Sequence, residues 1–134
     1  MRRDYFMSRE WVCERLRVSL RQSYSLVRPG YGPCVSSAAV LALVNRSRRN
    51  IAAPFDHVPS DIMTADELAA TPELAESGLT SHNFLVFTRR ENRGNQCPYL
   101  RINKQTTRFV RSLFLEWLAQ RARNAERTGR RRFV

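Results

Sequence analysis

A chain of 134 residues with 43% hydrophobic content can build one ordinary domain or two very small ones. Its longest apolar stretch, Ala38 to Val44, is too short to span a membrane, and three scattered cysteines without Cys-x-x-Cys or His-x-x-x-His spacing argue against a zinc site or a disulfide framework. The net charge is +11, and every basic residue except Lys104 is arginine, a balance that points to a polyanionic partner, most simply nucleic acid.

In chain order, Ser8 is placed to cap a helix running to about Leu16. Trp11, Val12 and Leu16 form its apolar stripe, with Arg9, Arg15 and Arg17 outside. Val18-Ser19 breaks it, and Ser19 caps a second helix, Leu20 to Val27, stopped by Arg28-Pro29-Gly30. This pair is a helix-turn-helix candidate. Tyr31-Gly32-Pro33 is turn chemistry. Ser36 or Ser37 caps a third helix, Ala38 to Asn45, burying Val40, Leu41 and Val44. Arg46 to Ser60 has two prolines and no period. The expected division is therefore an N-terminal unit over 1–49 and a linker over 50–61.

A second unit follows. Thr64 caps a helix to about Ala70, with Asp66 and Glu67 in its first turn, where the helix dipole favours acids. Pro72 can start another short helix, stopped by Ser77-Gly78, and Thr80 or Ser81 caps one running to about Arg90. After a polar loop, Leu100 and Ile102 alternate with Arg101, and Phe109 alternates with Arg108 and Val110, on either side of Asn103-Lys104-Gln105-Thr106. That is a hairpin signal. Ser112 suits the N-cap of a last helix carrying Phe114, Leu115, Trp117 and Leu118. This unit spans 62–123. An arginine-rich tail, 124–134, is expected to be disordered. The halves form a degenerate repeat, in which Met7-Ser8-Arg9-Glu10-Trp11-Val12 parallels Met63-Thr64-Ala65-Asp66-Glu67-Leu68 and Val18-Ser19 parallels Leu79-Thr80. Only the second has a full hairpin and an aromatic core, so it is expected to fold without the first.

Taken in order, these motifs resemble the excisionase/MerR-like winged helix-turn-helix superfamily. The second unit carries the likeness through Thr64-Ala65-Asp66-Glu67-Leu68, Gly78-Leu79-Thr80, Phe84, Phe87, Arg89-Arg90, Pro98-Tyr99-Leu100-Arg101-Ile102, Arg108-Phe109, Arg111-Ser112 and Trp117-Leu118. The first carries it over Ser8 to Val27 and Ser36 to Arg46. It departs by leaving almost no room for a wing between Gly30 and Ser36, and by placing Ser23 where the family has an apolar core residue. The second departs by an insertion, roughly Ala70 to Ser77. The resemblance implies a mainly α fold with a small β-hairpin wing, arranged as two tandem winged helix-turn-helix-like units. It implies a sequence-specific double-stranded DNA-binding protein of a phage or mobile element, an excisionase or recombination directionality factor. Such a protein binds and bends DNA beside an integrase or further copies of itself. A transcriptional regulator is the alternative within DNA binding, and a protein-interaction adaptor the alternative outside it.

The expected recognition-helix residues are Arg21, Gln22, Ser25 and Arg28 in the first unit, and Ser81, His82, Asn83 and Arg89 in the second. Arginine suits guanine, and glutamine or asparagine suits adenine. Val86 would be an exposed apolar oddity. The expected wing set is Arg101, Asn103, Lys104, Gln105 and Arg108, and the tail arginines Arg127, Arg130, Arg131 and Arg132 would add salt-sensitive attraction. No catalytic or metal-binding constellation emerges, no cofactor, small-molecule substrate or membrane partner is expected, and the expected location is cytoplasmic, on the nucleoid.

Overall fold

The computed structural model describes residues 5–28, 30, 31 and 33–132. The first half holds β1 (Phe6–Ser8), α1 (Arg9–Leu16), α2 (Leu20–Leu26), β2 (Gly30–Tyr31), β3 (Cys34–Ser36), α3 (Ser37–Arg46) and β4 (Arg48–Arg49). The second holds β5 (Ile62–Met63), α4 (Ala65–Ala69), α5 (Pro72–Ala75), α6 (Ser81–Phe87), β6 (Tyr99–Asn103), β7 (Thr106–Val110) and α7 (Arg111–Arg132). A 3-10 segment, Arg90–Asn95, follows α6. Among the described residues no helix is long and apolar enough to cross a membrane. Pro29 and Gly32, parts of the expected helix stop and turn, lie outside the described residues.

The expected fold class, mainly α with one small wing, is corrected. Among the described residues the chain has seven strands beside seven α-helices. Its strands form two antiparallel sheets, ordered β1-β3-β2 and β4-β6-β7-β5. The β6–β7 hairpin is therefore the interior of a sheet and not a wing at the margin. Its outer partners are short and distant in sequence: Arg48 and Arg49 pair with Leu100 and Tyr99, and Ile62 and Met63 pair with Val110 and Phe109. Strands of two or three residues carry no readable period, which is why sequence pattern alone misses them.

Side chains on a strand alternate between faces, and this sheet buries both. Ile62, Leu100, Ile102 and Val110 join Val12, Leu16, Val18, Val40, Val44 and Val58 in one core. Phe109 joins Leu68, Leu74, Phe84 and Phe114 in a second core, with Tyr99 and Trp117 packed against it. Thr106, Thr107, Phe109 and Val110 are all buried, so β7 does not show the polar-out alternation of a solvated hairpin. The sheet is thus a wall shared by two cores.

The segment 50–61 contains no helix or strand, yet it is fastened along its length. Val58 is buried, and Ile51 and Phe55 pack on the first core. The Asn45 side-chain amide donates to the Phe55 carbonyl at 3.2 Å and accepts the Phe55 N–H at 2.8 Å. Asp61 accepts the Arg111 N–H on its carbonyl and the Ser112 N–H on its carboxylate, at 3.0 and 2.8 Å. Asp61 therefore caps α7, the role the sequence suggested for Ser112.

Ser8, Ser19, Ser36, Thr64 and Thr80 each accept a backbone N–H at a helix start. Helix α6 stops at Phe87 and does not reach Arg90, because the Thr88 hydroxyl and the Asn92 amide donate to the carbonyls of Leu85 and Val86, each at 2.8 Å. At the other extreme, α7 runs on to Arg132 where a disordered tail was expected. Its first half packs on the second core and supplies the nucleus, and strong helix formers such as Ala119, Gln120, Ala122 and Ala125 continue it.

Arg17 sits in the left-handed region at the end of α1, with φ 57°. Its guanidinium forks onto Glu67, with Nε 2.9 Å from Oε1, and so ties the two halves together. Glu67 also closes the Thr64 capping box. The Arg17 hydrogen bond is the main influence holding its carboxyl down, from about 4.5 to about 2. A depressed carboxyl stabilises the fold above its unfolded value, and that stability is lost as pH falls through its folded value. Glu67→Gln is therefore expected to be less stable than the parent at pH 7. The difference should shrink between pH 4.5 and 2, as urea midpoints across that range would show.

Candidate nucleic-acid interface

An arginine-rich chain folds only if some arginines find partners, and the structure separates those committed internally from those left for solvent. Arg9 is buried: its Nη1 donates to the carbonyls of Ser23 and Val27 at 2.7 and 2.8 Å, with the guanidinium 4.2 Å from the Tyr24 ring centre. The sequence pattern had placed it outside. Arg48 donates to the carbonyls of Asn45, Ile51 and Ala52, and Arg111 pairs with Glu73. Arg108, expected on the wing, is half-buried and donates to the carbonyls of Leu16, Arg17 and Thr107. Burial pulls its guanidinium down from the ordinary arginine value. It is a tie between β7 and the end of α1, which removes it from the candidate interface.

Arg21, Arg28, Arg46, Arg89 and Lys104 are the reverse. All are exposed, and their charged groups have no hydrogen-bond, ion-pair or ring partner among the described residues. Arg21 lies on α2; Arg28 and Arg89 stand two residues beyond the ends of α2 and α6. Sequence reading missed Arg46, whose only signal is its place in the last turn of α3.

The two amides expected to read adenine are occupied. Gln22 Oε1 accepts the Ser19 N–H at 2.9 Å. Asn83 Oδ1 accepts the Thr80 N–H at 2.8 Å and the Thr80 hydroxyl at 3.0 Å. Both close the capping boxes of their own helices. Ser25 and His82 are exposed, and Ser81 is half-buried. The exposed apolar residue of α6 is Leu85 rather than Val86, and Leu20 and Tyr24 are its counterparts on α2. Ser23, the departure from the family pattern, is fully buried and donates to the Leu20 carbonyl at 2.6 Å.

At the hairpin tip, Asn103, Lys104 and Gln105 are exposed, and Asn103 Oδ1 accepts the Gln105 N–H at 2.9 Å. Arg101 is half-exposed over the Tyr99 ring. The tip, α2 and α6 are three separate groups, joined by no hydrogen bond or ion pair among the described residues.

The last element is an arm. Residues 119–127 of α7 are all exposed. From Ala119 to Arg132 the helix continues for roughly 21 Å at 1.5 Å per residue. This stretch carries Arg121, Arg123, Arg127 and Arg130 to Arg132 against Glu126. Gln120 accepts from Arg123 and Asn124 accepts from Arg127, so these arginines are held along the helix by neutral partners that leave the charge uncompensated. The backbone of Arg130, Arg131 and Arg132 is helical, and their side chains lie outside those described.

Compared with protein-family models, characterised proteins and solved structures, the chain matches none.

Proposed function

We propose that the protein binds double-stranded DNA through the exposed sides of α2 and α6, the Asn103-Lys104-Gln105 tip and the α7 arm. The observation that carries this reading is the sorting of the cations. Most described arginines are spent on carbonyls, carboxylates or rings of the chain itself, while Arg21, Arg28 and Arg89 stand free at the two expected helices and the arm adds Arg123 and Arg127, exposed and held only by neutral side chains. Free guanidinium groups on short exposed helices suit base edges and phosphates, and a charged arm suits the phosphate backbone. Mobility shifts of the full chain test it, with a duplex selected from a random pool and a scrambled competitor at near-physiological salt. Stronger competition by the selected site supports specific recognition; equal competition would leave only electrostatic attraction. The excision and transcription roles that the resemblance implies both need that preference, and an integrase-dependent excision assay separates them.

The arm makes its own prediction. Deleting Arg127 to Val134 should weaken binding to all sequences alike. If the four arginines of that segment each meet a phosphate, the slope of log affinity against log salt should flatten by about 3 to 4. Titrations at several salt concentrations check this; a change in sequence preference would assign the arm a reading role instead.

A further inference from the structure

Helices α2 and α6 correspond residue for residue. Ser19 and Thr80 cap them, Gln22 and Asn83 close the capping boxes, and Ser23 and Phe84 are fully buried. Tyr24 and Leu85 stand 47% and 40% exposed, and Arg28 and Arg89 follow the last turn.

We infer that these helices read guanine and not adenine in the DNA they bind. This rests on the DNA-binding reading above and goes on to the chemistry of the base edge. In the major groove adenine shows the acceptor N7 beside the donor N6–H2, so an amide reads it only with its own oxygen free. The Gln22 and Asn83 oxygens already hold the first turns of their helices, at 2.9 Å and 2.8 Å, and turning either toward a base strips its helix of that bond. The free long side chains are Arg21, Arg28 and Arg89, which are donors throughout. Guanine presents two adjacent acceptors, N7 and O6, which fit a guanidinium fork. Serine hydroxyls such as Ser25 suit either base and do not tip the balance.

The test resynthesises the selected duplex with 7-deazaguanine for every guanine, or 7-deazaadenine for every adenine. Each analogue keeps pairing and removes only the N7 acceptor. With the full chain at near-physiological salt, 7-deazaguanine should weaken binding ~10-fold or more and 7-deazaadenine less than about twofold. The guanine effect should vanish in the triple variant Arg21→Ala, Arg28→Ala, Arg89→Ala, whose circular dichroism should match the parent because these side chains are exposed. A larger effect from the adenine analogue, no effect from either, or a triple variant as sensitive as the parent overturns the inference while DNA binding stands. Failure to bind any duplex even at low salt overturns both readings.

Discussion

Cut between Ser60 and Asp61, the protein should give two fragments that do not fold. The shared sheet is the reason. Ile62, Leu100, Ile102 and Val110 come from the second fragment, but they bury against Val12, Leu16, Val40 and Val44 of the first. At ~1.5–3 kcal/mol for each large apolar side chain returned to water, the exposed wall costs an amount comparable with the whole stability of a small domain, about 5–15 kcal/mol. The cut also separates β4 from β6 and the Arg17 fork from Glu67. It removes Leu16 and Arg17, two of the three residues whose carbonyls hold the half-buried Arg108. The aromatic cluster of Phe84, Phe109, Phe114 and Trp117 stays within the second fragment, but one face of its sheet is left open. Circular dichroism melts of Met1–Ser60 and Asp61–Val134 should show no cooperative transition, and an equimolar mixture should regain helical signal. A cooperative melt of Asp61–Val134 near the temperature of the intact chain would show that the second core is self-sufficient, as sequence reading alone suggested.

What was legible in the sequence was local. Serine and threonine before an apolar run announced the caps at Ser8, Ser19, Thr64 and Thr80, because capping depends on residues three apart. The Leu100 to Val110 hairpin was legible for the same reason. What was not legible depends on segments far apart. Nothing around Arg48-Arg49 or Ile62-Met63 announces an edge strand, and nothing near Ser112 announces Asp61 as its cap. Charged residues were misread in one direction. Arg9 and Arg108 were assigned to solvent because arginine usually belongs there, yet each donates to backbone carbonyls at a helix end. At the candidate interface, the Ser-x-x-Gln and Thr-x-x-Asn spacings that tie up Gln22 and Asn83 were present in the sequence. A cap and a base reader ask for the same residue types, so only the side-chain geometry distinguishes them.

Arg9→Ala should be the most damaging single substitution of a charged residue. Arg9 is 3% exposed and carries Nη1 to two carbonyls at the end of α2, where the helix dipole also favours a cation. Removing it strands the Val27 carbonyl at the first core, while the Ser23 carbonyl keeps the Val27 N–H at 3.0 Å. At about 1–3 kcal/mol for a buried acceptor left unsatisfied, the Val27 carbonyl alone sets the scale of the loss, before counting the second bond to Ser23 and the apolar stem of Arg9. Arg9→Lys should recover only part, because a compact, strongly hydrated ammonium does not lie over the Tyr24 ring as a planar guanidinium does. Arg9→Met keeps the apolar stem without the donors, so it should stay close to the alanine variant. Urea unfolding of the three variants checks the order, and a methionine variant as stable as the parent would mean that the Val27 carbonyl is satisfied without Arg9. The consequence reaches the interface. Arg9 fixes the end of α2 from which Arg28 projects, so Arg9→Ala should bind its selected duplex more weakly even at a temperature well below its own melting point. Arg28→Ala should weaken binding without moving the urea midpoint. That contrast separates a residue that places the helix from one that meets the DNA.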